Sequence, residues 1–280
     1  MILVSAPGSA APGLYQWKSG VVEPKKICVI DSPSSFSFNR RIVIERVPGE
    51  HDSLRLYHAG NCALLGTIET TGRVIDVDAR EGLIAVAMDY GNEERALELY
   101  SMRGNRLAST SIGRNVELGF APDGKALLNF DLSDAADAMW SLPALGIVKA
   151  PSWMKSDELA FVPGAHYVKR YAKGALTIAH WPSGKPKYVI PTGRTVRVRQ
   201  LSRYGRFGVT HERLPDGDLI ERFDFSSGKR TKLDIGSIDH ATISADGRKV
   251  AWSQRGGLSG EDVTILRAEI RALTAVRTAP

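Results

Sequence analysis

Three arginines recur at a regular spacing along the chain, each directly after a glycine. They are Arg73 in TTGRV, Arg114 in SIGRN and Arg194 in PTGRT, at intervals of 41 and 80 residues. A guanidinium group carries five N–H donors and can bind a carboxylate or a phosphate with two of them. In a chain of equal repeats, these arginines would form a ring that holds an anion or an acidic segment. The alternative is that each arginine pairs with a carboxylate of a neighbouring repeat or caps a backbone carbonyl; surface ion pairs of this kind contribute little to stability.

Further residues at equivalent positions extend this predicted binding face. They are Trp153, Asp239 and His240. The segment TVRVRQ adds Arg197 and Arg199, which lie two residues apart and therefore on one side of a strand. Asp157 and Glu158, about 40 residues earlier, are their expected partners, because an unpaired buried guanidinium is costly. An anion site lining a channel is the alternative.

No catalytic or metal-binding motif accompanies these residues. The sequence lacks GxSxG, HExxH, GxxxxGK[ST] and GxGxxG. Histidine and an acidic residue are adjacent at 51–52, 211–212 and 239–240, but adjacent strand residues point to opposite faces, so none forms a ready dyad. The aspartates at 131, 134 and 137 lack the glycine and the terminal glutamate of a calcium loop. We predict no catalytic residues, no metal and no cofactor.

Two families of glycine turns repeat in phase and indicate the elements that position these side chains. The first family ends at Gly82, Gly124, Gly164, Gly205 and Gly247, at intervals of 42, 40, 41 and 42 residues. The second ends at Gly20, Gly60, Gly104, Gly184 and Gly228, with Gly146 filling the long gap less cleanly. Short alternating apolar runs between the turns are typical of antiparallel strands. The pattern predicts units of about 40 residues, each with four strands a to d.

The repeat also carries a family resemblance. FAPDGKALL, ISADGRKVAW and the strands that end before Ser-Gly resemble the repeats of WD-repeat and TolB-like β-propellers, over nearly the whole chain. The Trp-Asp dipeptide is missing, and the usual Gly-His step is Gly-Arg. The resemblance implies blades around a central channel, with the d–a and b–c loops on one face.

The predicted fold is an all-β, seven-bladed β-propeller of four-stranded antiparallel blades, with the first blade incomplete or shared between the termini. Six blades plus an N-terminal strand extension is the alternative. The blades span approximately 1–32, 33–71, 72–112, 113–152, 153–193, 194–236 and 237–280, as one domain over 1–280. Predicted terminal strands are Ile2–Ser5, Gly13–Trp17, Lys26–Ile30 and Val263–Ile270, with Leu273–Arg277 as the last d strand or the missing first strand.

Composition restricts the class of protein. The 280 residues are 43% hydrophobic and 24% charged, as in globular proteins, and no apolar run approaches the roughly 18 residues that span a bilayer. The N-terminus lacks the basic and long apolar regions of a signal peptide. We interpret Cys28 and Cys62 as buried small hydrophobic residues in a reducing compartment. A cytoplasmic location is expected; a periplasmic or secreted one is the alternative if a targeting segment is absent from this chain.

The formal charge of +6 and the pI of about 9.3 favour an anionic partner. Nucleic acid is disfavoured, because basic residues are spread over every repeat without the basic–aromatic alternation of RNA-binding proteins. We expect a non-catalytic, protein- or anionic-ligand-binding propeller that uses its arginine-ringed face, as an interaction scaffold or a toxin-neutralising partner. The alternative is a propeller enzyme of the lactonase or hydrolase type with a site in the central channel.

Overall fold

The strands of the chain form antiparallel sheets. The computed structural model describes residues 2–5, 14–17, 25–30, 33–36, 41–80, 82–114, 116–130, 139–154, 158–162, 166–172, 175–191, 197–202, 205–215, 217–236, 238–243, 246–247, 249–254 and 271–272. Within these ranges the structure is all β, apart from a 3₁₀ turn at Ser152–Met154, and contains seven sheets. Two compact units divide the chain, unit 1 (Met1–Met154) and unit 2 (Lys155–Pro280).

Unit 1 contains, in its described part, the sheets that we letter A to D in chain order. Sheet A is formed by β1 (Ile2–Ser5), β2 (Leu14–Trp17) and β3 (Lys25–Cys28). Sheet B is formed by β4 (Pro33–Phe36), β5 (Ile42–Val47), β6 (Ser53–His58) and β7 (Leu64–Glu69). Sheet C is formed by β8 (Arg73–Arg80), β9 (Leu83–Gly91), β10 (Glu94–Ser101) and β11 (Arg106–Ser111). Sheet D is formed by β12 (Leu118–Phe120), β13 (Ala126–Asn129), β14 (Met139–Ser141) and β15 (Gly146–Ile147).

Unit 2 contains sheets E to G in the same sense. Sheet E is formed by β16 (Glu158–Phe161), β17 (Tyr167–Ala172), β18 (Ala175–His180) and β19 (Pro186–Pro191). Sheet F is formed by β20 (Arg197–Leu201), β21 (Phe207–Leu214), β22 (Gly217–Asp224) and β23 (Lys229–Gly236). Sheet G is formed by β24 (Ile238–Ile243), β25 (Lys249–Gln254) and β26 (Arg271–Ala272). The predicted strands at Val263–Ile270 and Leu273–Arg277 lie outside the described residues.

Every sheet is a meander in which each strand pairs with its neighbour in sequence. In unit 1 the first strands of successive sheets contact each other, β4 with β8 and β8 with β12, and in unit 2 β20 contacts β24. A four-stranded meander with its first strand innermost is the form of a propeller blade. The predicted all-β propeller architecture is therefore confirmed, whereas the count of seven blades and the single-domain organisation stay predictions.

Glycine turns separate the strands as the two turn families predict. Positive φ angles, between 65° and 92°, occur at Gly82, Gly124, Gly205 and Gly247 of the first family and at Gly104, Gly184 and Gly228 of the second. Gly146 does not fill the gap in the second family, because it already belongs to β15 and the positive φ falls on Leu145, at 55°. In the turn between β6 and β7, Cys62 rather than Gly60 has the positive φ, at 57°.

A β-bulge recurs in the inner strands. The register shifts skip Ser34 in β4, Ile75 in β8, Arg199 in β20 and Asp239 in β24. The skipped residues are 41 positions apart in unit 1 and 40 in unit 2. A bulge bends the strand and interrupts its alternation. In β20 the bulge falls at Arg199 and interrupts the alternation after Arg197. The prediction that Arg197 and Arg199 lie on one side of a regular strand therefore loses its basis.

Apolar side chains fill the space between neighbouring sheets. One cluster joins sheets B and C through residues such as Ile44, Leu56, Ile84 and Met88. Comparable clusters join C with D, E with F and F with G. Because a single small sheet cannot enclose a core of its own, each blade depends on its neighbours for burial of its apolar faces.

Carboxylates on inner elements add directional contacts between sheets. Asp76 Oδ2 accepts a hydrogen bond from the backbone N–H of Leu118 at 2.6 Å, and Asp78 Oδ2 accepts one from Phe120 at 2.8 Å. Each donor lies 42 residues beyond its acceptor, which is one repeat. These bonds satisfy N–H groups of β12 that would be costly to bury without a partner.

The cysteines correct a prediction. Cys28 and Cys62 form a disulfide bond, with their Cα atoms 6.1 Å apart, and both are only half-buried. Their interpretation as separate buried hydrophobic residues is therefore wrong. The bond ties the end of β3 in sheet A to the turn between β6 and β7 in sheet B. Cysteines joined in a disulfide do not favour a reducing compartment, so they no longer support the predicted cytoplasmic location. That location stays a prediction.

We expect the Cys28→Ser/Cys62→Ser variant to lose about 2–4 kcal/mol of unfolding free energy, because the bond closes a loop between residues 34 positions apart. Urea denaturation of oxidised wild type and variant measures the loss, and treatment of the wild type with dithiothreitol should reproduce it. Unchanged stability of the reduced wild type would contradict the assignment.

Asp78 should make stability depend on pH. Burial raises the pKa of Asp78 from 3.8 to about 6, against the opposing hydrogen bonds from Phe120 and Ala79. Because the folded-state pKa lies above the unfolded one, its contribution to unfolding free energy should rise as pH falls from about 7 to about 4. Asp78→Asn removes the titrating charge, so the pH dependence that Asp78 contributes should disappear. The amide has one acceptor oxygen for the two N–H groups of Ala79 and Phe120, so the loss of one hydrogen bond should offset the stability gained at pH 7.

Urea denaturation at several pH values compares Asp78→Asn with wild type. Asp123→Asn, in the turn between β12 and β13, is the matched control and should keep the pH dependence of the wild type. If Asp78→Asn also kept that dependence, Asp78 would not be the titrating group.

Candidate functional site

The loop-bearing end of sheet C gathers charged side chains from three segments. We call it the platform and define it by Arg73, Asp89, Glu93, Arg95 and Arg114. In an antiparallel sheet the start of the first strand, the turn between the second and third, and the end of the fourth lie at one end. The d–a and b–c loops of this blade therefore meet, as the repeat predicts.

Hydrogen bonds organise the platform. Arg95 Nε and Nη2 both lie 3.3 Å from Asp89 Oδ2, and Arg95 also donates to the backbone carbonyl of Arg114. The backbone N–H of Gly91 donates to Asp89 and lowers its pKa, and the nearby Arg95 and Arg73 lower it further. The carboxylate of Asp89 therefore stays charged and holds the turn and two guanidinium groups together.

Two of the three recurring arginines lie on the platform. Arg73 faces Asp89 across the β8–β9 ladder. Arg114 forms an ion pair with Glu93, in which the two side chains are 68% and 76% exposed. The alternative hypothesis predicted that Arg114 pairs with a carboxylate of a neighbouring repeat. Arg114 does pair with a carboxylate, but Glu93 belongs to the same sheet. An ion pair this exposed contributes no more than about 1 kcal/mol.

The remaining predicted residues are not brought to the platform by any described contact. Trp153 is half-buried in the 3₁₀ turn Ser152–Met154. Arg194 and Asp157 lie outside the described residues, as do the aspartates of the 131–138 segment. For Arg197, Asp239, His240 and Glu158 the structure describes the backbone alone, in β20, β24 and β16. The arginine ring therefore stays a prediction.

A buried glutamate beneath the platform was missed by the sequence reasoning. The side chain of Glu98 in β10 is 2% exposed. It accepts hydrogen bonds from Tyr90 Oη at 3.0 Å, from Arg106 Nη1 at 2.8 Å and from the Tyr100 hydroxyl. A carboxylate buried this deeply needs such partners, because its desolvation is otherwise uncompensated. Its sequence signal is a charged residue inside the apolar run LELY.

Tyr90 transmits this anchoring to the loops of the platform. Its ring closely approaches Gly72, where an added Cβ would lie 2.9 Å from Tyr90 Cδ1. Its hydroxyl is 3.5 Å from Thr71 Oγ1. Glu98, Tyr90 and Gly72 therefore connect the inside of sheet C to the loop that precedes Arg73, and this connection limits the conformations open to that loop.

Sheet F repeats part of the arrangement on the corresponding strands. Glu221 in β22 pairs with Arg230 in β23 at 3.4 Å, as Glu98 in β10 pairs with Arg106 in β11. The recurrence indicates that a glutamate–arginine pair between the third and fourth strands is a structural feature of these repeats. Contacts between a tyrosine and the neighbouring loop, such as those of Tyr90 with Thr71 and Gly72, are seen in sheet C.

The described residues contain neither a metal-binding cluster nor a membrane-spanning helix. In the ranges that the structure describes, no group of three or more His, Cys, Asp or Glu side chains is arranged to hold a metal ion. No helix within those same ranges is long and apolar enough to cross a membrane.

Solved structures with a similar chain path are propellers. A Bacteroides fragilis protein described as a candidate 6-phosphogluconolactonase has a TM-score of 0.56 and 16% identity, covering 90% of this chain and 87% of its own. Kluyveromyces lactis Hsv2 has a TM-score of 0.56 and 16% identity, covering 78% and 68%. A chain of the mitotic checkpoint complex has a TM-score of 0.52 and 12% identity, covering 86% and 81%.

No protein-family model matches the chain, and no curated protein matches it by sequence. At these identities the structural likeness shows the fold alone, a β-propeller. The predicted resemblance is thereby confirmed at the level of fold.

We expect Glu98→Ala to lose about 3 kcal/mol of unfolding free energy, because Tyr90, Tyr100 and Arg106 lose a shared buried acceptor. Glu221→Ala is the matched control and should lose about 1 kcal/mol or less, since its partner Arg230 is 42% exposed. Urea denaturation measures both losses. Equal losses would show that Glu98 does not organise a buried network.

Proposed function

We propose that the protein is a non-catalytic binding propeller that contacts a protein partner through the platform of sheet C. The observation that carries the proposal is the convergence of three arginines and two carboxylates from three segments at one end of sheet C. Loops held on a rigid scaffold are where proteins commonly place binding specificity. Arginine is also enriched in protein–protein interfaces.

The anchoring of the platform supports a binding role. Tyr90 is held from below by Glu98 and packs against Gly72, so part of the loop ordering is complete before a partner arrives. Such preorganisation reduces the entropy lost on binding. The exposed Arg114–Glu93 pair can open at little cost, which frees the guanidinium for a carboxylate of the partner.

The charges on the platform favour a partner that carries both signs. Arg73, Arg95 and Arg114 are balanced by Asp89, Glu93 and the neighbouring Glu94. Complementary patterns of charge discriminate between partners more than they add affinity. A purely anionic ligand would require the full predicted arginine ring, of which Arg194 is the third recurring arginine.

Propellers with this chain path include components of assemblies, as the mitotic checkpoint complex chain shows. The alternative function, a lactonase, is supported by the description of the Bacteroides fragilis neighbour. One experiment separates the binding function from the lactonase function. Charge reversal on the platform of sheet C should abolish partner binding there, whereas it should not abolish hydrolysis at a catalytic site elsewhere.

We expect a photo-crosslinking amino acid at Asn92, in the exposed β9–β10 turn, to capture a discrete partner in the native host. Arg73→Glu/Arg114→Glu should abolish this crosslink, because both guanidinium groups then present negative charge. The matched control is Arg103→Glu, an exposed arginine in the β10–β11 turn at the other end of sheet C. It should leave the crosslink intact.

A crosslink that survived the double reversal would contradict the proposal. An equal yield of the same crosslink with the photo-crosslinking amino acid placed at position 103 would also contradict the proposal, because that position lies at the other end of sheet C. Hydrolysis of 6-phosphogluconolactone by wild type that persisted in the double variant would favour the lactonase alternative.

A further inference from the structure

The cations of the chain are divided unevenly between its two compact units. Unit 2 contains 22 lysines and arginines against 13 aspartates and glutamates, a net charge of +9. Unit 1 contains 15 against 18, a net charge of −3. Every repeat contains basic residues, so the difference in net charge is visible only when the two units are compared as wholes. Asymmetry of this kind indicates a surface for a polyanion.

Two identical turns place lysines at equivalent positions in unit 2. Ser183-Gly184-Lys185 precedes β19, and Ser227-Gly228-Lys229 leads into β23, whose first residue is Lys229. In both turns the lysine N–H donates to the serine Oγ at 3.3 Å. Both glycines have a positive φ, of 68° and 72°. The repeat therefore fixes Lys185 and Lys229 at the start of the outer strands of sheets E and F.

Aromatic rings, of which Phe223 and Phe225 are buried, connect β19 of sheet E with β22 and β23 of sheet F. Lys187 Nζ lies 5.5 Å from the Tyr188 ring, and the Tyr188 ring stacks 6.2 Å from that of Phe225. Phe225 contacts Phe223 at 4.9 Å, and Arg230 Cζ lies 5.4 Å from the Phe223 ring. We call the exposed cations on this framework the basic surface. They are Lys185, Arg206, Lys229, Arg230 and Lys232.

Carboxylates neutralise only part of the basic surface. Arg206 pairs with Asp224 at 3.1 Å, and Arg230 pairs with Glu221 at 3.4 Å. Burial raises the pKa of Asp224, but hydrogen bonds from Arg206 and Ser226 outweigh burial and lower it to about 2, so this pair stays charged. Lys185, Lys229 and Lys232 form no ion pair among the residues that the structure describes, although Lys232 lies across the β22–β23 ladder from Glu221. Within that part of the chain, the positive charge of the basic surface exceeds the negative charge paired with it.

We propose that the basic surface binds the sugar–phosphate backbone of nucleic acid without sequence preference. Two features of the sequence disfavour nucleic acid, the spread of basic residues along the chain and the missing basic–aromatic alternation. The concentration of cations in unit 2 removes the first reason, and the second applies to recognition through base stacking, not to contacts with phosphates. Lysine is depleted in protein–protein interfaces, whereas nucleic-acid interfaces are strongly positive. Val189 is the one exposed large apolar side chain in the described part of unit 2, which leaves little apolar area for a protein contact.

The lysines have a second physical consequence that the experiment must separate from binding. Charged residues on an outer strand hinder pairing with a strand of another molecule. Both β19 and β23 are outer strands with one paired neighbour each in the described structure. Edge protection predicts a change in self-association on removal of the lysines, whereas the proposed site predicts a change in affinity for nucleic acid.

The test measures fluorescence anisotropy of labelled DNA of about 30 nucleotides, single-stranded and duplex, in two unrelated sequences, over a range of NaCl concentrations. Lys185→Gln/Lys229→Gln/Lys232→Gln should weaken binding at least tenfold and reduce the slope of log affinity against log salt by about 2–3, because each lost phosphate contact removes about 0.9. The affinity of wild type should not depend on base sequence.

A variant of equal charge provides the matched control. Lys25→Gln/Lys125→Gln/Lys149→Gln removes three exposed lysines of unit 1 and should stay within about twofold of wild type. Equal weakening by both variants would attribute binding to net charge and overturn the proposal. So would a wild type that does not bind DNA, or greater self-association of the unit 2 variant with unchanged affinity.

Two competitors identify other partner classes. Polyglutamate or anionic phospholipid vesicles that displaced DNA as effectively as unlabelled DNA would replace nucleic acid as the ligand. The Arg73→Glu/Arg114→Glu variant should bind DNA like wild type, so the outcome here is independent of the platform. Failure of either proposal therefore leaves the other standing.

Discussion

Burial of apolar surface between neighbouring sheets is the constraint on which the rest of this protein depends. A four-stranded meander of about 40 residues has two faces and no core of its own. Clusters such as that of Ile44, Leu56 and Met88 form only where two sheets meet. The carboxylates of Asp76 and Asp78 then specify the alignment, because each satisfies an N–H of the next inner strand.

The same constraint separates the parts of a blade that can carry function from those that cannot. Strand interiors serve mainly for packing, and the charges of the platform and of the basic surface lie at strand ends, in turns and on outer strands. On sheet C the ends carry a platform of balanced charge, anchored through Tyr90 to the buried Glu98. In unit 2 the outer strands and the turns before them carry lysines that have no ion pair among the described residues, beside an aromatic framework. A binding surface on this fold is therefore a local addition to a packing scheme that recurs from repeat to repeat.

Some features of the site were within reach of the sequence, and others were not. The spacing of Arg73 and Arg114 placed both in d–a loops, and the structure puts both at one end of sheet C. The contact of Arg114 with Glu93 depends on a turn in which Asn92 and Glu93 adopt positive φ angles, which the spacing does not encode. The disulfide between Cys28 and Cys62 joins two sheets, and nothing local to either cysteine predicts it.

The sequence by itself determined the periodic features. Turn glycines and alternating strands are local requirements of the backbone, so Gly124, Gly205 and Gly247 could be assigned before any contact was known. Only the tertiary structure decided which charges are compensated and which are free. Arg114 in SIGRN is paired with Glu93, while Lys185 and Lys229 of the two Ser-Gly-Lys turns have no ion pair among the described residues. Compensation depends on distance in space, and residues of separate strands approach each other only after the sheets have packed.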